Sequence, residues 1–240
     1  MRSIVLSASY KDGDEMSNGA KESVVLEAIL AQVRDYLAAS GLRVIMRPAQ
    51  VPPAAVASIA NRERASFLFC LSANGREPCG VCYHPQSQAG KRCADLVLER
   101  LELIIPEGKA FKRVASPQLP DFRMAKCPCV HLCFGEEKDA KTAEWLVQSV
   151  GVIAHALARA LTAWFDLPCQ SPFARSTAKI AAPQGALALR CLPSEQSERL
   201  LSMKNGADVL LFHREGEWQY IECEGVCGFA KRQYLRIAES

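Results

Sequence analysis

The chain has 240 residues, of which 49% are hydrophobic, and its 29 basic residues nearly balance 26 acidic ones. This length suffices for one large domain or for a medium domain and a small one, each with an ordinary core. The formal charge of +3 is too small to indicate nucleic acid or an anionic membrane as the main partner. No segment is apolar over a length that would span a bilayer.

The beginning of the chain and its cysteines indicate the compartment. The apolar run at residues 4–6 is far too short for the core of a signal peptide, which predicts a cytoplasmic product unless another route releases it. Eleven cysteines would suit disulfides in a small secreted protein, but here their number is odd, the chain is long and many lie in apolar strand-like runs. We therefore expect buried thiols rather than disulfides.

The first part of the chain alternates strand and helix patterns. A short apolar strand at residues 4–7 is followed by a long polar loop, and residues 22–40 place their apolar side chains on one helical face. A strand at 42–46 and a helix at 52–64, opened by two prolines, lead to a strand at 67–71. The order β-α-β-α-β predicts a parallel sheet with helices on its faces.

The strand at residues 67–71 is the expected centre of this sheet. It is apolar without interruption, as is typical of a strand that is buried on both faces of a parallel sheet. It runs into the polar exit Ser72-Ala73-Asn74-Gly75, at the carboxyl end of the strand, where open α/β sheets place their sites. Any chemistry of the chain is therefore expected near Ser72.

The alternation continues to about residue 166. Further elements are predicted as strands at 80–84 and 129–134, helices at 89–103, 139–149 and 150–165, and loop at 104–125. The predicted fold class is thus α/β, a mostly parallel sheet with helices on both faces, in a domain of residues 1–166. A proline-marked linker at 167–177 follows it.

Residues 178–240 have a different pattern, with short strand-like runs separated by Gly, Asn and Pro. These runs are 187–190, 207–212, 218–222 and 228–230. The pattern predicts a small β domain. Because about sixty residues make only a marginal core, Trp218 is expected to be a principal packing residue.

This tail resembles a bacterial SH3 domain. The resemblance rests on the order and spacing of five motifs, Leu187-Ala188-Leu189-Arg190 before Pro193-Ser194, Lys204-Asn205-Gly206, Gly216-Glu217-Trp218, Gly228-Phe229-Ala230 and Tyr234-Leu235. Two positions depart from the family, where a usual Asn is Ala188 and a usual Gly is Leu192. The resemblance implies an SH3-like β barrel that binds peptidoglycan peptides or other proteins, with Trp218 and Tyr220 as candidate binding residues.

The first domain resembles the zinc-dependent N-acetylmuramoyl-L-alanine amidases of type 3. The segments that carry the resemblance are Ile4-Val5-Leu6-Ser7 with its loop, the helix from Glu22, Gly41-Leu42-Arg43-Val44, Ile59-Ala60-Asn61-Arg62, Phe69-Cys70-Leu71-Ser72-Ala73-Asn74, Gly80-Val81-Cys82-Tyr83 and the strand after Pro128. An amidase domain followed by a bacterial SH3 domain is a frequent pairing in wall hydrolases. The resemblance implies a peptidoglycan-directed protein of the bacterial cell wall.

The positions that match the family's metal site carry other residues. The first histidine falls at Tyr10, or at its neighbours Ser9 and Lys11, and the second falls at Ser72. The ligand glutamate is Glu22, or Lys21 in the other register. The catalytic glutamate falls at Cys133. A catalytic zinc needs three protein ligands and an open position for water, so one carboxylate alone cannot hold it tightly.

Each polar candidate also has a structural interpretation. Glu22 is more often a first-turn acid that the helix dipole favours than a metal ligand. Ser72 and Asn74 could suggest a nucleophile, but no His or acid is placed by the sequence to activate the hydroxyl, which favours a strand-end hydrogen bond. His131 alternates with apolar residues on a core strand, which favours a satisfied buried histidine. A weaker metal set is Glu22, His131 and Cys133.

Cysteine supplies the main rival interpretation. The spacings Cys79-Gly80-Val81-Cys82 and Cys127-Pro128-Cys129-Val130-His131-Leu132-Cys133 resemble metal knuckles. Neighbouring residues on strands point to opposite faces, however, so these thiols need not form a four-ligand shell. Packing as small apolar core residues is the favoured interpretation.

Three functional hypotheses follow. The preferred one is a degenerate amidase domain that needs no cofactor and binds peptidoglycan fragments or stem peptides, or a protein partner through the SH3-like domain. The alternative is an active, zinc-dependent amidase with rearranged ligands. The third is a thiol or structural-zinc protein built around the two cysteine clusters. A cytoplasmic location, or release to the wall by another route, suits the first two.

Overall fold

The chain divides into two compact units, Met1–Gln170 and Ser171–Ser240. The computed structural model describes residues 2–9, 15–47, 55–73, 80–105, 110–135, 139–172, 176–190, 193–197 and 199–237. The finer division into a domain at 1–166, a linker at 167–177 and a domain at 178–240 stays a prediction.

The first unit is built on a six-stranded sheet in the order β2-β1-β3-β6-β4-β5. Its strands are β1 Ser3–Ala8, β2 Arg43–Met46, β3 Phe67–Ser72, β4 Gly80–Tyr83, β5 Arg113–Ala115 and β6 Cys129–Cys133. The first four strands in this order are mutually parallel, whereas β4 runs antiparallel to β6 and carries β5 parallel to itself. All six residues of β3 are buried and β3 lies between β1 and β6, so the predicted central strand is confirmed.

Helices cover both faces of this sheet. They are α1 Glu22–Ala39, α2 Val56–Arg62, α3 Gln88–Leu101, α4 Pro120–Met124, α5 Ala140–Gln148 and α6 Val150–Trp164. On one face α1 and α3 pack against α6, where the Phe67 ring lies 4.4 Å from that of Trp164. On the other face α2 and α4 pack together over a cluster that includes Leu68, Cys70 and Phe122. Because strand side chains alternate, Phe67 faces α6 while Cys70 faces α4.

Residues 104–125, predicted as loop, contain the strand β5 and the helix α4. A three-residue strand and a five-residue helix are too short to show a period in the sequence. The start of α4 nevertheless has a signal, since Pro120 stands at the beginning of the helix, where its fixed φ is favourable. The second helix, α2, begins at Val56. Its predicted start at Pro52 lies outside the described residues.

The second unit is an antiparallel sheet in the order β13-β7-β10-β11-β12-β8-β9. Its strands are β7 Ser176–Ile180, β8 Ala186–Arg190, β9 Arg199–Lys204, β10 Asp208–Glu215, β11 Trp218–Cys223, β12 Val226–Lys231 and β13 Leu235–Ile237. Leu189, Met203 and Ile221 are among its core residues. The second unit thus contains the four predicted strands, together with β7, β9 and β13. Its SH3-like closure stays a prediction.

Among the helices that the structure describes, none is long and apolar enough by itself to cross a membrane. Only α5 and α6 taken together reach such a length, and they are bent by 79° at the break between them.

Candidate functional site

The carboxyl edge of β3 brings Glu22 and Ser72 together. Ser72 is the last residue of β3, and Glu22 is the first residue of α1. Glu22 is only 2% exposed, and its Oε1 accepts a hydrogen bond of 2.9 Å from the backbone N–H of Ala73. The carboxylate is thus more than a first-turn acid, because it ties the start of α1 to the end of the central strand.

His131 lies beside this edge and is hydrogen-bonded to Ser72. The parallel register of β3 and β6 sets Cys70 opposite His131 and Ser72 opposite Cys133. Nε2 of His131 lies 3.0 Å from Oγ of Ser72, and both residues are 1% exposed. His131 is therefore buried, and its Nε2 is engaged by Ser72.

A second group of polar side chains lies deeper on the same face, under α4. The ligand atoms of Cys70, Asp121 and His131 all lie within 4.8 Å of one another. The Cys70 thiol donates to Oδ2 of Asp121 over 3.5 Å, and Asp121 is 9% exposed in the first turn of α4. These are three residue types that bind transition metals, held in an otherwise apolar cluster.

Burial and neighbouring groups raise the pKa values of the thiols in this region. A hydrogen bond with Cys129, burial and the neighbouring Asp121 carboxylate all raise the pKa of the Cys70 thiol well above its ordinary value. Burial also raises the pKa of Cys129, and it raises that of the half-buried Cys127 to about 11. No disulfide joins the cysteines that the structure describes, which agrees with the predicted buried thiols.

A cleft of about 300 Å³ opens at the amino end of β6. Cys127, Cys129 and Phe122 line it, together with His84 and Ser87 from the segment that follows β4. The cleft therefore connects solvent to the Cys129 end of the buried group.

The other predicted site residues are distributed as follows. Tyr10, Asn74 and Cys79 lie outside the described residues, as does Lys11. Cys133 is buried and lies opposite both Ser72 and Gly80. The structure therefore places Cys133 beside Ser72.

Trp218 and Tyr220, predicted as binding residues, lie on β11 of the second unit. Tyr220 is 1% exposed and packs between Phe212 and Phe229, with ring centres 5.8 Å and 5.1 Å away. Trp218 is also buried, with Nζ of Lys231 lying 5.8 Å from its ring centre. Packing is thus the visible role of both side chains, and their binding role stays a prediction.

Sequence reasoning missed Asp121 and the pairing of Cys70 with it. The two residues are 51 positions apart, and their contact depends on the short helix α4. The signal available was the dipeptide Pro120-Asp121, since proline followed by an acid is typical of a helix start.

No family model matches the chain, and no curated protein matches it. Solved structures do match it. The catalytic domain of CwlV, an N-acetylmuramoyl-L-alanine amidase from Bacillus (Paenibacillus) polymyxa var. colistinus, superposes with a TM-score of 0.59 at 18% identity, over 70% of this chain and 100% of that one. The amidase AmiC2 of Nostoc punctiforme gives a TM-score of 0.55 at 19% identity, over 69% of this chain and 97% of that one.

A third match is the CwlD amidase from Clostridioides difficile, solved in complex with the GerS lipoprotein. Its TM-score is 0.54 at 15% identity, over 69% of this chain and 99% of that one. At such identities the likeness shows the fold. About 70% of this chain therefore has the fold of the N-acetylmuramoyl-L-alanine amidases, as predicted from the sequence.

The described residues at the carboxyl edge do not fit the catalytic zinc that the sequence resemblance implies. The donors there are the Glu22 carboxylate, engaged by the Ala73 amide, and the Ser72 hydroxyl, engaged by His131. The donor group that the structure does bring together is Cys70, Asp121 and His131, and it does not include Glu22. Hydrolytic zinc needs three ligands around an open position facing substrate, whereas Cys70 and His131 are 1% exposed.

Proposed function

We propose that this protein is an amidase-fold protein that binds peptidoglycan fragments without hydrolysing them. The observation that carries the proposal is the hydrogen bond between Oγ of Ser72 and Nε2 of His131 at the carboxyl edge of β3. It occupies the hydroxyl that stands where the resembling enzymes have a zinc ligand. The same bond holds the His131 imidazole inside the sheet.

The missing chemistry supports the same proposal. Hydrolysis of an amide needs an activated water and a group that stabilises the oxyanion, both of which zinc and a partner glutamate supply. The position that matches the partner glutamate is Cys133, which is buried and has no carboxylate. Enzymatic rate enhancements of this kind correspond to about 8–23 kcal/mol of barrier reduction, for which these side chains offer no source.

The binding part of the proposal rests on the retained fold. Open α/β sheets place their ligands at the carboxyl edge of the strands, so this edge is where a stem peptide is proposed to bind. Glu22, Ser72 and Asn74 are the proposed contacts there. The second unit, through Trp218 and Tyr220, is proposed to contribute wall or protein binding of the SH3 kind.

Binding is tested by sedimentation of the full chain with purified insoluble peptidoglycan, with soluble muramyl peptide as the competitor. We expect the protein to sediment with the wall and to be released by the competitor. A charge reversal at the exposed Lys21, next to Glu22, should weaken this binding because stem peptides carry free carboxylates.

Lys126→Glu is the matched control, since Lys126 is equally exposed but lies at the opposite, amino end of β6. Equal binding by the Lys21→Glu and Lys126→Glu variants would show that the binding site does not lie at the carboxyl edge. A full-chain protein that stays in the supernatant would refute the binding function.

A further inference from the structure

We propose that Cys70, Cys129, Asp121 and His131 bind one Zn²⁺ ion inside the first unit. This site lies under α4, below the carboxyl edge, and is separate from the position of the catalytic zinc in the resembling enzymes. It does not depend on the proposed peptidoglycan binding.

Three of the four ligands come from one face of the sheet. Cys70 of β3 lies opposite His131 of β6, so the two side chains project side by side from the same face. Cys129 is two residues before His131 on β6, which places it on that face as well, although its thiol is not among the donors that lie within 4.8 Å of one another. Rigid neighbouring strands therefore set the positions of all three donors.

The fourth ligand comes from above this face. Asp121 extends from α4, with Oδ2 at 3.5 Å from Sγ of Cys70. In a tetrahedral zinc site with bonds of about 2.0–2.3 Å, neighbouring donor atoms are separated by roughly 3.3–3.8 Å. The 3.5 Å between Sγ of Cys70 and Oδ2 of Asp121 lies within this range. The ligand atoms of Cys70, Asp121 and His131 all lie within 4.8 Å of one another, which is close to it.

Apolar packing explains the cysteines of this cluster but not the aspartate. The Asp121 carboxylate is 9% exposed and accepts from the Cys70 thiol, and coordination of a metal is one of the ways in which buried carboxylates are stabilised. A divalent cation would supply the positive charge, with the Cys70 and Cys129 thiols each losing a proton as they bind it. Two thiolates, an imidazole and a carboxylate form a donor set that suits Zn²⁺.

Ser72 has a defined place in this site. Ligand histidines usually donate their second ring N–H to an oxygen, which fixes the ring. If Nδ1 of His131 binds the ion, Nε2–H donates to Oγ of Ser72 over the observed 3.0 Å. Ser72 is then a positioning residue for the metal, in the place where the resembling enzymes have a ligand.

One of the proposed ligands also lies beside a cleft. Cys129 lines the cleft of about 300 Å³ at the amino end of β6, together with Cys127.

The test is metal analysis of the full-chain protein, purified under reducing conditions and dialysed against zinc. We expect about one zinc per chain and an X-ray absorption spectrum with two sulfur neighbours at about 2.3 Å and two nitrogen or oxygen neighbours at about 2.0–2.2 Å. Cobalt substitution should give a thiolate charge-transfer band. These measurements use the unmodified chain, so they decide the proposal even if a variant does not fold.

Variants then assign the ligands. Cys70→Ser and Asp121→Asn should lose zinc to a competing chelator, and Ser72→Ala should weaken zinc affinity about tenfold. Cys93→Ala is the matched control because Cys93 is an equally buried thiol, on α3. Absence of zinc from the unmodified protein, a spectrum without sulfur neighbours, or zinc retention by Cys70→Ser equal to that of Cys93→Ala would overturn the site.

Discussion

The pair formed by Ser72 and His131 sets the hydrogen bonding at the carboxyl edge of β3. The hydroxyl and the imidazole fill one buried space and satisfy each other over 3.0 Å. A histidine at position 72 would therefore compete with His131 for room. The match of position 72 to the second histidine of the resembling amidases cannot show this, because His131 lies 59 residues away in the sequence.

Exchange of the two residues tests this coupling. We expect Ser72→His alone to lower the free energy of unfolding by about 1–3 kcal/mol through overpacking. The double variant Ser72→His with His131→Ser should lose less than the sum of the two single variants, because the ring and the hydroxyl only change places. Urea unfolding in the presence of a chelator measures all three variants without any contribution from metal.

Residues in contact typically show coupling of about 0.5–3 kcal/mol in such cycles. A double-mutant cycle on two residues that are far apart in the structure serves as the reference, since their effects on the free energy of unfolding should be additive. Strictly additive effects of Ser72→His and His131→Ser would mean that the two side chains do not share one space.

At the scale of elements, the join between β4 and β5 is unusually tight. Gly80 has a φ of +130°, and a Cβ atom built on it would lie 2.2 Å from the backbone oxygen of Lys112. The N–H of Val81 donates to that same oxygen over 2.8 Å. The start of β4 therefore requires glycine for two reasons, conformation and space.

Gly80→Ala should destabilise the protein more than Gly41→Ala does. Gly41 also has a positive φ of +87°, but nothing lies within 4 Å of its added Cβ. Gly41→Ala then costs only the left-handed backbone, about 1–2 kcal/mol, whereas Gly80→Ala adds a backbone clash to its own strain. Thermal and urea unfolding compare them, and equal losses would contradict the tight join.

Elements with a long apolar pattern were predictable from the sequence, whereas short elements were not. The apolar run of β3 and the one-sided pattern of α1 gave both elements to within a few residues, since burial fixes such patterns. The elements β5 and α4 are held by their neighbours rather than by a pattern of their own. For the same reason the edge position of Ser72 was predictable, whereas the approach of Asp121 to Cys70 was not.

At the scale of the whole molecule, the fold resembles that of the amidases, whereas the side chains at the described sheet edge differ from the ligand set that the resemblance implies. About 70% of the chain follows the amidase fold at 15–19% identity to the three amidases compared. A fold can be kept by apolar patterns alone, and function lies in the site that it carries. At the described edge of this sheet Glu22 accepts from the Ala73 amide and Ser72 pairs with His131, and these two bonds are the basis of the proposal of binding without hydrolysis.

The central claim, binding without hydrolysis, is tested most directly by digestion of purified peptidoglycan with the full-chain protein. The protein is supplied with zinc, and released stem peptides are detected by mass spectrometry against a heat-denatured blank. The account predicts no release above the blank, with or without a chelator. Chelator-sensitive release of stem peptides by the unmodified protein would contradict it.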